Sequence, residues 1–200
     1  MGKLMRLRLL LLSSLLLGGC AAAAAVAAVP GVLVDRAVGY FKGEDVSLAL
    51  DMQRSLASVQ KGLEHMSLHV NVLVPVPDGY LIEFGNGELD GDISLRRQTQ
   101  NLITLTISAH RGFSKEGSVE AAIIKEVRTA SEQVDEGAHF EFADYDSIYL
   151  KPDTSTEKLG WFRPGAKLNV TMNGNIGWLK IKLPSGQKAY IKGYLKGDGA

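Results

Sequence analysis

A single cysteine, Cys20, stands in this chain of 200 residues. No intramolecular disulfide can form, so stability has to come from apolar cores. Histidine is nearly as scarce, with four residues. His65 and His69 are four apart, a spacing that would suit a metal if both lay on one helix. The helical pattern ends near Leu63, however, and His69 alternates with Leu68 and Val70 so as to point away from the buried side. No metal is expected, and the isolated His110 and His139 read as surface or hydrogen-bonded side chains. Otherwise the composition, 46% hydrophobic and 22% charged, is that of ordinary globular protein.

The place of the cysteine carries information. Lys3, Arg6 and Arg8 form a positive region, the leucine-rich residues 9–17 supply an apolar region, and Leu17-Gly18-Gly19-Cys20 follows. This is the layout of a secretory signal. It resembles the lipobox of bacterial lipoproteins, in which the cysteine thiol takes a diacylglycerol, the signal is cleaved before it and the new N-terminus is acylated. The resemblance implies a signal peptide over 1–19, a lipid with palmitate-type chains on Cys20, and an alanine-rich tether over 20–33. The alternative is an uncleaved membrane helix, since residues 9–29 are almost uncharged and about twenty apolar residues suffice to cross a bilayer. Gly18 and Gly19 weaken such a helix, and the cysteine falls at the cleavage offset. Several acyl chains on one residue anchor stably. Ala21 stands where an aspartate would resemble an inner-membrane retention signal, so the outer membrane, facing the periplasm, is the expected location.

A formal net charge of zero hides a partition. Residues 21–147 carry ten basic and nineteen acidic side chains, whereas residues 148–196 carry nine basic and two acidic. The pattern of elements divides near the same point. Residues 34–42 read as a first strand, and from Ser47 the positions Leu48, Met52, Leu56, Val59 and Leu63 predict a helix. Leu68, Val70, Val72 and Val74 alternate as a half-buried strand. A hairpin of 80–84 and 93–97 is expected about a glycine-rich loop over 85–92. Ile103, Leu105, Ile107 and Ala109 mark a further strand, and a second helix is expected from Ser118 as N-cap. The expected class is α+β, an antiparallel sheet covered by two helices over 34–138. Gly39-Tyr40-Phe41-Lys42-Gly43 and His110-Arg111-Gly112-Phe113, in this order of elements, resemble a family of small bacterial lipoproteins of unknown function over residues 38–133.

Beyond residue 145 the segments are short, turn-separated and without helical periodicity. They suit a small all-β barrel over 145–197. Arg163-Pro164-Gly165-Ala166-Lys167-Leu168-Asn169-Val170, Gly177-Trp178-Leu179-Lys180-Ile181, Pro184-Ser185-Gly186-Gln187-Lys188-Ala189-Tyr190-Ile191 and Gly193-Tyr194-Leu195 resemble the bacterial Src-homology-3-like domain. The sequence departs from that pattern at Lys151-Pro152-Asp153-Thr154-Ser155-Thr156, a loop that helps form the ligand groove in peptide-binding relatives.

Chemistry is sparsely signalled. A cysteine–histidine peptidase is excluded if Cys20 carries lipid. Asp90-Gly91-Asp92 with Glu88 has hard oxygens for calcium but lacks the full loop signature, and reads as a hairpin loop. Arg96-Arg97 reads as a solvated strand end, and no motif marks a carboxylate pair for glycoside cleavage. Recognition remains. Trp161, Arg163, Trp178, Tyr190, Tyr194, Lys180 and Lys192 are the candidate ligand-binding residues, because aromatics beside cations form binding faces for peptides and anionic polymers. Trp161 is the stronger groove candidate, while Trp178 and Tyr190 are as well read as core. The expected protein is non-enzymatic and membrane-anchored, with its barrel on peptidoglycan or a wall-associated protein. Alternatives are an assembly lipoprotein holding a protein partner through the α+β domain and, as a minor reading, a cell-wall-acting enzyme. No cofactor is expected beyond the lipid on Cys20, and an exported chain has little access to nucleic acid.

Overall fold

The computed structural model describes residues 44–172 and 174–195. Cys20, the signal and tether segments, the Gly39–Gly43 motif and the strand expected over 34–42 lie outside the described residues. The elements are β1 (Glu44–Leu48), α1 (Met52–His65), β2 (His69–Val76), β3 (Gly79–Gly85), β4 (Asp90–Thr99), β5 (Leu102–Arg111), β6 (Ser114–Lys115), α2 (Gly117–Gln133), β7 (Asp146–Tyr149), β8 (Lys158–Phe162), β9 (Val170–Met172), β10 (Trp178–Lys182) and β11 (Lys188–Lys192). All strands join one antiparallel sheet in the order β1-β5-β4-β3-β2-β8-β7-β11-β10-β9, with β6 on β5.

Three local expectations are corrected. Ser47 and Leu48 belong to β1, and the first helix begins only at Met52, where the Asp51 side chain accepts a hydrogen bond from Arg54 N at 3.0 Å. Leu48 fits a period of two with Val46 as well as a helical step, and both are buried. The second helix starts at Gly117 behind Glu116, so Ser118 is inside it. Asp90-Gly91-Asp92 is strand rather than loop, paired with Gly85, Phe84 and Glu83. Only residues 86–89 turn, held by Asn86 Oδ1 accepting from Glu88 N and Leu89 N. Gly91 is required because a β-carbon there would come within 2.3 Å of the Phe84 ring.

One apolar core lies between the helices and one face of the sheet. Leu56, Val59 and Leu63 of α1 and Ile123 and Val127 of α2 meet Ile82, Phe84, Ile93, Leu95, Ile103, Leu105 and Ile107. Glu120 of α2, itself buried, accepts from Ala109 N at 2.9 Å and pairs with Lys115 at 3.4 Å, fastening that helix to β5.

The second core decides how the two halves are joined. Ile148, Phe162, Leu179, Ile181, Leu183, Ala189 and Ile191 of the C-terminal strands are completed by Val72 and Val74 of β2. Strand β2 does this because it is bulged: Val70 pairs with Phe84 and Val72 with Glu83, leaving Asn71 as the extra residue. Val70 and Leu73 therefore serve the helix-side core while Val72 and Val74 serve the other, so β2 is buried on both faces rather than half-buried. Strand β8 pairs with β2 (Val72↔Phe162, Leu73↔Trp161) as well as with β7. Residues 139–144, left between the expected domains, are packed: Phe140 is fully buried, and Glu141 N donates to Gln60 Oε1 at 2.8 Å. Opposite charges suggest electrostatic docking, but the junction consists of backbone pairing and shared apolar packing. Among the described residues the ion pairs Arg111–Glu88, Arg111–Glu116 and Lys115–Glu120, and the contacts His65–Glu126 and His139–Glu141, all fall within the first half.

Candidate functional site

Alternation along the C-terminal strands sorts their side chains. Ile148 of β7, Leu179 and Ile181 of β10, and Ala189 and Ile191 of β11 are buried inward. Their neighbours Tyr149, Trp178, Lys180, Lys182, Lys188, Tyr190 and Lys192 must then point outward. Register aligns them in rows: Lys180 beside Tyr190 beside Tyr149, Trp178 beside Lys192, and Lys182 beside Lys188. Directly opposed residues have β-carbons about 4.5–5.5 Å apart. Tyr149 and Trp178 meet edge to face, ring centroids 5.7 Å apart. Tyr194 is 79% exposed and extends the patch, its hydroxyl 3.2 Å from where a β-carbon on Gly177 would sit. The face thus offers aromatic rings framed by ammonium groups. It has flat surfaces for apolar or sugar faces and donors for carboxylates.

Five of the seven sequence candidates, Trp178, Lys180, Tyr190, Lys192 and Tyr194, meet on this face. Trp161 and Arg163 go elsewhere. The Trp161 ring packs on Phe142 at 4.6 Å and against the helix-side core. Arg163 donates from its backbone N to Asn71 O at 2.9 Å and from Nη2 to Asn71 Oδ1 at 3.0 Å. Both therefore face the β2 junction, as does Tyr145, whose hydroxyl donates to Val70 O at 3.1 Å and whose burial pushes its pKa up to about 12. Tyr149 is the member that sequence reasoning missed; its place beside the buried Ile148 in a short strand was the available signal.

A second chemical feature lies on the sheet face opposite the helices. Glu83 and Asp92 are register partners on β3 and β4, and Asp90 is the partner of His110 on β5. Burial first, then the negative charges of Asp92 and Asp90, raises the Glu83 carboxyl to about 7. Burial likewise raises Asp92 to about 6; His110 opposes that shift and Asp90 adds to it. These side chains line a cavity of about 590 Å³ with Asn71 and, from the β8–β9 connection, Lys167, Leu168 and Asn169. Among the described residues no group of three or more histidine, cysteine or carboxylate side chains is placed to hold a metal ion. The sequence signal here was Glu83, a charge set between Ile82 and Phe84 in an apolar strand.

Residues 147–196 match the family model of the bacterial SH3 domain. The C-terminal module is thus an SH3-like domain, although Val72 and Val74, which complete its core, lie outside the matched segment. No curated protein is recognisably similar to the chain.

Proposed function

We propose that this chain is a non-enzymatic, lipid-anchored protein of the bacterial cell envelope whose SH3-like domain holds peptidoglycan or a wall-associated partner. The observation that carries the reading is the outer face of β7, β11 and β10, where Trp178, Tyr149 and Tyr190 alternate with Lys180 and Lys192. Bacterial SH3 domains are commonly wall-binding modules, which supports the same assignment. Stem-peptide carboxylates suit the lysines, and sugar or peptide faces suit the rings. The anchor rests on Leu17-Gly18-Gly19-Cys20, and with it the placement at the outer membrane facing the periplasm. The assembly reading asks for an apolar patch on the first half. There, among the described residues, Phe113 is the one large hydrophobic side chain that is exposed, and a single ring does not form a patch.

Two experiments test this. Cys20→Ala leaves the precursor uncleaved and unlipidated; normal processing of that variant overturns the anchor. The full-length chain in mild detergent co-sediments with purified sacculi, and binding weakens as salt rises, since exposed charges are screened beyond about 8 Å at physiological ionic strength. Trp178→Ala combined with Lys180→Ala lowers that binding about tenfold or more. Unchanged binding by this double variant would place the wall contact elsewhere.

A further inference from the structure

The cavity between the outer sheet face and the β8–β9 connection is not used by the wall-binding face, and its lining is chemically divided. Its floor holds Glu83, Asp90 and Asp92 with His110, and its other side holds Lys167 and Asn169. Asn71 supplies an independent clue. It is only 7% exposed, it lines the cavity, and the β2 bulge sets its position. Arg163 occupies its Oδ1, while among the described residues nothing accepts from its Nδ2. The point where Gly85 would carry a β-carbon lies 2.6 Å from Leu89 O, 2.8 Å from Asp90 Oδ1 and 3.4 Å from that Nδ2, so the donor and the Asp90 carboxylate stand close together at one end of the lining. That Nδ2 is not among the fully buried atoms left without a partner, so it opens onto the cavity as a donor that an arriving acceptor can take up.

We infer that this cavity is a second binding site, for a zwitterionic ligand of amino-acid to dipeptide size, its ammonium on Glu83, Asp90 and Asp92 and its carboxylate on Lys167 and Asn71 Nδ2. Three features point to this class. The carboxylates do not converge as metal ligands do, yet the space of about 590 Å³ admits an organic cation. The mutual repulsion of the acidic groups is relieved by a positive charge placed among them. The donors, Lys167 and the Asn71 amide, supply the complementary end. Binding of an ammonium favours the ionised carboxylates, so it releases protons near pH 6.5 and weakens toward pH 5, where Glu83 and Asp92 are protonated before the ligand arrives. The site is independent of the wall-binding face: losing either leaves the other standing.

The test is calorimetric titration of the full-length chain with alanyl-alanine, its N-acetylated form and its C-terminal amide, at pH 7.5 and 5. The free dipeptide binds saturably at pH 7.5. Acetylation, which removes the ammonium, weakens binding about tenfold or more, as loss of a charged hydrogen-bonding group does. Amidation weakens it less, and Lys167→Ala abolishes the difference between free acid and amide. Glu83→Gln and Asp92→Asn each reduce affinity for the free dipeptide. Because those variants only remove buried charge, failure to fold is not their expected outcome, and Lys167 is exposed. Equal binding of free and acetylated dipeptide, indifference to Glu83→Gln, or no saturable heat at millimolar ligand would each overturn the site.

Discussion

Gly160→Ala destabilises the chain by about 2–4 kcal/mol and does so for both halves at once. A β-carbon on Gly160 would lie 2.4 Å from Leu73 O, a backbone atom of β2 that cannot swing aside as a flexible side chain does. Relief requires β8 to move off β2, which breaks the pairs Val72↔Phe162 and Leu73↔Trp161. It also withdraws Val72 and Val74 from the C-terminal core. With total stabilities of only about 5–15 kcal/mol for a folded domain, such a loss is large. Scanning calorimetry should show one cooperative transition in the parent chain, shifted down as a unit in the variant. Two separate transitions, with only the later strands affected, would show that the SH3-like module folds apart from the rest.

The second large effect has the opposite sign. Glu83→Gln raises stability at pH 8 by about 1–3 kcal/mol and changes little at pH 4. The Glu83 carboxyl is held at about 7 and that of Asp92 at about 6 in the folded protein, against 4.5 and 3.8 without the fold. Between those limits the folded state binds more protons than the unfolded chain. Stability therefore falls as pH rises from about 4 to about 7 and then levels off. Glutamine cannot ionise, so it removes both its own burial cost and its repulsion of Asp92. Chemical denaturation at the two pH values measures the difference directly. A variant less stable than the parent at pH 8 would mean that the Glu83 carboxylate is compensated by a partner and is not a liability.

How legible this was depended on whether a residue answers to one neighbour or to two. Ile103, Leu105, Ile107 and Ala109 alternate because β5 has one buried face toward the helices, and the sequence reading stands there without change. Strand β2 defeats the same rule. Its valines alternate in sequence, but the bulge at Asn71 shifts the phase, and two cores share one strand. No local signal announces a bulge when both faces are apolar. Gly91 reads as a turn residue, and its real reason is a ring from another strand lying over it. Gly62, a poor helix former inside α1, is the point where α2 approaches, since a β-carbon there would come 2.9 Å from Val127.

The candidate site divides along the same line. Trp178, Lys180, Tyr190 and Lys192 could be grouped from period-two patterning in two adjacent strands, because hairpin register is local. Trp161 could not be assigned from its own segment, because its environment is set by Phe142 and by β2, eighty-eight residues before it at Leu73. The Glu83 and Asp92 pair was hidden for a similar reason. Reading 85–92 as a loop placed Asp92 outside the sheet, whereas only four residues turn and the carboxylates become register partners.

The most direct test of the wall-binding face uses the chain's two tryptophans, Trp161 at the junction and Trp178 on the outer face. The full-length Trp161→Phe protein reports through Trp178 alone, and the Trp178→Phe protein through Trp161 alone. Soluble peptidoglycan fragments should change the emission of the first saturably, with the change fading as salt rises, and leave the second unaltered. A response from Trp161 with none from Trp178 would contradict the account and move recognition to the β2 junction.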